Sequence, residues 1–232
     1  MAGEMRPLPI EAMGVRMDSI QCIKSLYQKR AGHYDWSANL YYLLGFREQA
    51  YRQMAVDALD LQLGDTVVEI GCGTGLNFGL LQKKIGPQGK IIGIDLTPSM
   101  LEMAQQRCQR HAWTNVELIE HEAGSYRFPV GIGGTLSTFA LTLVPDYQRV
   151  IEHAYQALSH GKNMVVGDFR IAENWPVPLL KFAIFITSPF GVTLELGERH
   201  PWEAMQAVFG NLHMQTRYFD AVYIATSTKS IS

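Results

Sequence analysis

Three glycines fall within five residues, Gly71, Gly73 and Gly75 of "VVEIGCGTGLNFGLL", between two apolar runs. Glycine at this density is costly unless the backbone turns sharply or comes close to a ligand. A phosphate-cradling loop of the GxxxxGK[ST] type needs a lysine after the glycines, and none follows. A dinucleotide fingerprint needs a third glycine at position 76, where Leu76 stands. The spacing is GxGxG, with Glu69 two residues before Gly71. Further on, "GIDL" sets Asp95 at the end of a predicted strand, where a carboxylate can accept both hydroxyls of a ribose and would disfavour a 2′-phosphate. "EHEAG" then sets Glu122 at the end of the next one. Carboxylates at three consecutive strand ends suit a ligand with a ribose, amines and a positive charge better than one bearing a pyrophosphate.

The elements that must position these residues alternate. "TVVEIG" predicts a strand, "LNFGLLQKKI" a helix, "KIIGIDL" a strand and "PSMLEMAQQRCQRH" a helix with proline in its first turn. "VELIEHEA" and "TLSTFAL" predict further strands, "DYQRVIEHAYQAL" a helix opened by Asp146, and "SHGKNMVVGDF" a turn and a fifth strand. Strands separated by helices imply βαβ crossovers, a mostly parallel sheet covered on both faces, and a doubly wound α/β fold. The tail departs from this pattern. "HPWEAMQAVFGN" reads as a helix, and "HMQTRYFDAVYIATSTK" as an antiparallel hairpin turning around Phe219 to Ala221. Ahead of the first strand, residues 1–60 read as a loose arm followed by a helical cap, with 61–232 as the core.

Composition narrows the partners. The chain has 232 residues, enough for one large core, with 47% hydrophobic and 18% charged residues. A net charge of −2 gives no electrostatic reason to expect nucleic acid. Three cysteines without CxxC or Cys/His spacing argue against a disulfide framework or a structural zinc site, and suit a reducing, cytoplasmic setting. The first residues lack the apolar run of a signal peptide. The most apolar window, residues 176–194, is broken by Lys181 and Pro189 into pieces too short to span a bilayer.

Taken together, "VVEIGCGTG", "IIGIDLTPSMLEMA", "EHEAG" and "LSTFALTLVPD" resemble the motifs of class I S-adenosylmethionine-dependent methyltransferases. Within that class the chain looks most like the group of ubiquinone/menaquinone C-methyltransferases and bacterial phospholipid N-methyltransferases. The resemblance implies a Rossmann-like methyltransferase sheet and S-adenosylmethionine as cofactor. It gives Glu69 and the backbone of Gly71, Cys72, Gly73 and Gly75 to the methionyl moiety. It gives Asp95 to the ribose, with Leu96 and Met100 packed on the adenine. Glu122 and Ala123 match the usual Asp-Ala pair at the adenine amine, the glutamate being a departure that puts its side-chain contact in question. Thr138 and Phe139 match the residues passing close to the methionine carboxylate and the methyl group. "HYDWSANLYYLLGFR" resembles the "YD…GxxR" cofactor cover, which makes Tyr34 an aromatic lid attracted to the sulfonium. The plain alternatives are a core role for Tyr34, a small loop residue at Cys72, and helical packing for Met100.

Methyl transfer needs alignment and exclusion of water, and a general base only where the acceptor's nucleophile is protonated. His33, Asp168 and His200 are the candidate bases; His153 and His160 lie far from the strand tips. "GDFR" supplies Asp168 without the carboxylate cluster of metal-dependent O-methyltransferases, so no metal is expected. "TFALTLVPD" stands where nucleic-acid amino-methyltransferases carry a Pro-Pro-aromatic motif, which again argues against nucleic acid. The segment at about 170–205 is rich in Phe, Ile, Leu, Trp and Pro. It reads as an acceptor-binding insert around a lipophilic acceptor (a phospholipid amine, a quinone precursor or a hydrophobic metabolite), or as a surface for peripheral membrane contact. Oligomeric state is not legible. The competing readings are a nicotinamide-dependent oxidoreductase and a non-catalytic, methyltransferase-like binding protein.

Overall fold

The computed structural model describes residues 47–171 and 199–231. The predicted N-terminal arm, His33, Tyr34 and residues 172–198 of the insert lie outside the described residues.

Among the described residues the chain runs α1 (Glu48–Ala58), β1 (Thr66–Ile70), α2 (Phe78–Ile85), β2 (Lys90–Asp95), α3 (Pro98–Arg110), β3 (Val116–Glu120) and β4 (Ile132–Thr138). A short 3-10 turn, Leu141–Leu143, is followed by α4 (Tyr147–Ala157), β5 (Leu158–Phe169), α5 (Pro201–Phe209), β6 (His213–Arg217) and β7 (Val222–Thr228). The seven strands form one sheet in the order β3-β2-β1-β4-β5-β7-β6. The first five pair in parallel; β7 runs antiparallel to both β5 and β6. This is the doubly wound, mostly parallel sheet with an antiparallel C-terminal hairpin that the alternating pattern implies.

Adjacent residues of one strand feed opposite faces, because successive side chains in a strand point to opposite sides. Val67, Ile91, Val165 and Ile224 pack beneath α1, α2 and α3 with Ala55, Leu59, Phe78, Leu81 and Leu101. Their neighbours Val68, Ile92, Val166 and Ala225 pack beneath α4 and α5 with Ile151, Ala154, Met205 and Phe209. Every residue of β4 is buried, as befits a central strand covered on both sides.

Two expected boundaries shift. The "TLSTFAL" strand ends at Thr138, because Phe139 adopts a left-handed φ of 55° and the chain enters the 3-10 turn. The "SHG" turn is absorbed into β5. There the register against β4 jumps between Ile132 and Gly134, and the Gly161 N–H donates to the Lys229 carbonyl.

Candidate functional site

The parallel strands end together at one rim, and the strand order reverses between β1 and β4. Doubly wound sheets open a crevice at such a switch point. A cleft of about 940 Å3, counting space continuous with solvent, lies there. Its wall includes Gly71 to Thr74 after β1, Asp95 to Thr97 after β2, Glu122 and Ala123 after β3, and Thr138 to Ala140 after β4.

The glycine loop explains its own composition. Gly71, Gly73 and Gly75 have φ of 65°, 53° and 76°, in the left-handed region that other residues adopt at a cost. A Cβ at Gly71 would collide with the Ala140 side chain, whereas a Cβ at Gly73 would meet nothing within 4 Å. Gly71 is therefore a packing requirement, and Gly73 leaves its space to the cleft. Asp95 ties the loop to β2: its carboxylate accepts the Gly73 N–H and the Thr97 N–H, each at 2.8 Å. Burial pushes the Asp95 carboxyl up, against the lowering effect of those N–H bonds.

Beneath the loop lies a buried polar network. Arg52 of α1 donates through Nε and Nη2 to Glu48 Oε1 at 2.8 and 2.6 Å, and through Nη1 to Thr138 Oγ1 at 2.6 Å. Asn77 Nδ2 donates to Thr138 Oγ1 at 2.8 Å and to Glu69 Oε1 at 2.7 Å. Among the described residues nothing donates to Glu69 Oε2, although that atom is buried. Burial raises the Glu69 carboxyl to about 7, more than Asn77 and the Arg52 charge lower it, and the nearby Asp95 adds to the rise. The Cys72 thiol is driven well up by burial and by Asp95 and Glu69, so it stays protonated and inert.

Of the residues singled out in the sequence, Gly71, Cys72, Gly73, Asp95, Leu96, Met100, Glu122, Ala123, Thr138 and Phe139 all line this one cleft. Gly75 and Glu69 are not part of its lining. Glu122 spends both oxygens on its own turn, accepting from Gly124 N–H and Ser125 N–H at 2.8 Å each. Asp168 and His200 stand outside the lining. Asp168 is buried, accepting from the Thr142 N–H and hydroxyl and from the Phe169 N–H. His200 stacks on Trp202 and contacts Glu203 Oε1 at 3.0 Å. Sequence reasoning missed Arg52 and Asn77. The local signal is partial: Glu48, Arg52, Ala55 and Leu59 recur at helical spacing, but an i, i+4 ion pair has the same spacing on a solvated face.

Known proteins extend the picture. Haemonchus contortus phosphoethanolamine N-methyltransferase 2, solved in complex with S-adenosyl-L-methionine, superposes with a TM-score of 0.61 at 13% identity. The match covers 78% of this chain and 52% of that one and so reports on the fold. A demethylmenaquinone methyltransferase of Oceanobacillus iheyensis is 31% identical over 126 residues, covering 51% of this chain and 50% of that protein. An arsenite methyltransferase of Halobacterium salinarum is 30% identical over 118 residues, covering 50% of this chain and 29% of that protein. The chain thus spans half the length of these relatives or less. The profile of the family described as "Methyltransferase domain" matches residues 61–187, more than half of the sequence, and with the cleft at the end of β1 and β2 inside that match, the chain belongs to the methyltransferase domain family.

Proposed function

We propose that the chain transfers a methyl group from S-adenosylmethionine to a small lipophilic acceptor, with quinone precursors and lipid amines as the favoured classes. One observation carries the reading: Asp95 is fixed at the tip of β2 opposite a glycine loop whose Gly73 opens onto the cleft. The residues present fit the cofactor. Each Asp95 oxygen accepts one N–H, so lone pairs remain for the two hydroxyls of a ribose. Leu96, Met100, Ala123 and Leu143 supply apolar walls for a flat base. Each Glu122 oxygen also accepts one N–H, from its own turn, and keeps a lone pair, so either that side chain or the backbone of Glu122 and Ala123 can meet the base's amine. Arg52 lines the cleft and offers a counter-charge for a carboxylate, and Glu69, buried outside the lining, keeps the methionyl role that the resemblance implies.

When bound, S-adenosylmethionine supplies a methyl group activated by a sulfonium. The protein's part is then to align the acceptor and exclude water. Phe139 and Phe169, with ring centroids 5.0 Å apart, form an apolar wall beside Thr138. Asp168 is a brace rather than a base in this reading, since its bonds hold the turn after β4 against β5. Tyr34 keeps the lid role that the resemblance implies, and His33, its neighbour in sequence, stays a candidate base. A nicotinamide-dependent oxidoreductase is disfavoured by Leu76 at the third glycine position, and a non-catalytic binding role by the intact carboxylate set. The test is incubation with S-adenosylmethionine and a panel of quinones, lipid amines and phenols, read by product mass. A methylated quinone or lipid amine is expected; a cofactor that binds but is never consumed with any acceptor would favour the binding-protein reading.

A further inference from the structure

The turn between β6 and β7 breaks two rules at once. Tyr218, Phe219 and Asp220 have φ of 51°, 55° and 67°, three consecutive left-handed residues without a glycine. The Ala221 N–H donates to the Tyr218 carbonyl at 3.1 Å, closing a tight hairpin turn with positive φ at both central positions. Such turns favour Asn-Gly, because most side chains are strained there. Phe219 holds the first central position and is 81% exposed. Its ring meets Tyr218 edge-on at 5.8 Å yet stays largely exposed, and strain kept at an exposed position points to a function.

Its place gives the function a direction. Val222 pairs with Phe169, and the Arg170 N–H donates to the Ala221 carbonyl, so the turn stands at the C-terminal end of β5, on the same rim of the sheet as the cleft. Tyr218 packs into a small cluster with Tyr51, Val222, Phe169 and the cleft residue Phe139. Leu63, Val130 and Ile231, the other large hydrophobic side chains exposed among the described residues, precede β1, precede β4 and follow β7. All three therefore lie at the opposite edge of the sheet. Around the tip, Arg47 and Arg217 are exposed and Arg170 is half-buried over Trp202, whereas the turn's one acid, Asp220, accepts from the Thr216 hydroxyl.

We infer that the β6–β7 turn is a docking tip that inserts Phe219 into an anionic lipid surface and turns the mouth of the cleft towards the bilayer. A protein partner of ordinary affinity needs a face of roughly 800 Å2, whereas one exposed aromatic on a narrow turn offers a point of insertion. A bilayer accepts that geometry: an aromatic ring buries at the headgroup boundary, and flanking arginines meet anionic headgroups. Tyr218, half-buried beside Phe219, carries an apolar ring and a hydroxyl and suits the same boundary. The inference goes beyond methyl transfer and stands without it.

The experiment is sedimentation with phosphatidylcholine vesicles, with and without phosphatidylglycerol, in the absence of cofactor. The protein should bind the anionic vesicles preferentially. Phe219→Asn should weaken that binding by about tenfold, the scale of burying one aromatic ring. Because asparagine favours the left-handed turn, its melting temperature should hold or rise. Arg217→Gln should reduce the preference for phosphatidylglycerol by roughly fivefold. Equal sedimentation of Phe219→Asn and wild type, or no preference for anionic vesicles, overturns the inference. So does a concentration-dependent dimer, formed without vesicles and abolished by Phe219→Asn, which would assign the tip to a second copy. Calorimetry with S-adenosylmethionine should give the same affinity for Phe219→Asn as for wild type. Loss of cofactor binding in the wild type would sink the methyl-transfer reading and leave the vesicle result to be judged by itself.

Discussion

At the tips of β1 and β2 the cleft wall is largely backbone, with three left-handed glycines and two N–H groups clamped on one carboxylate, Asp95. At the tip of β4 it is side chain, Thr138, Phe139 and Ala140, backed by a cluster at the ends of β5 and β7. Phe139 has a left-handed φ, Phe169 tilts against it, and Tyr218 and Tyr51 pack into the same cluster. The first half offers backbone atoms that every residue has, so its specification falls on glycine spacing and a carboxylate. The second half is shaped by packing, which many apolar sequences can satisfy. Arg52 joins the two, with hydrogen bonds to Thr138 and Asn77 below the loop and its guanidinium 5.2 Å from the Phe139 ring centroid.

If the backbone half works as described, the largest effect comes from filling it. Gly73→Val places a β-branched side chain in the open space of the cleft at a φ such residues avoid, and should abolish S-adenosylmethionine binding in calorimetry. Normal affinity in that variant would show that the ligand sits elsewhere. Next comes the joint between the halves. Arg52→Met keeps the stem but leaves Glu48 as a buried carboxylate without its cation, and should cost about 3–5 kcal/mol in denaturant unfolding. A loss near zero would place Arg52 among solvated pairs.

That second prediction concerns a residue that could not be read from local pattern alone. "EQAYRQMAVDA" offers Glu48 and Arg52 four apart, the spacing of an ordinary surface pair, and only the packing of α1 over β4 and β5 buries them. Their other partners, Asn77 and Thr138, are 25 and 86 residues away. The alternation of strands and helices, the glycine loop, Asp95 and the terminal hairpin were legible because each follows from periodicity or from a backbone requirement. The end of β4 was not, since Phe139 carries no glycine or asparagine to announce its left-handed φ. The turn around Phe219 to Ala221 was legible, but its three consecutive left-handed residues were not, since "RYFDAVY" holds no glycine or asparagine. Glu122 shows the opposite case: sequence placed it at the rim, but the side chain turned back on Gly124 and Ser125.

A smaller effect probes the network below the loop. Glu69 keeps its proton up to about 7 in the fold, against an ordinary value of 4.5. The unfolded chain releases that proton first, so wild-type stability should fall as pH rises from about 4.5 to about 7 and stay level above. Glu69→Gln can still accept from Asn77 and removes this dependence, by up to about 3 kcal/mol between the ends of that window. Parallel stability profiles for the two proteins would mean that Glu69 is ionised in the fold and paired with Arg52.

Asp95 as the ribose contact of S-adenosylmethionine is tested most directly by a calorimetric titration of wild type and Asp95→Asn. Wild type should bind S-adenosylmethionine and ignore NAD. Asp95→Asn, with an unchanged circular dichroism spectrum, should bind S-adenosylmethionine at least about tenfold more weakly, the scale of a lost charged hydrogen-bond pair at 1.5–3 kcal/mol. Equal affinity in the folded variant, or tight binding of NAD by wild type, would contradict the claim.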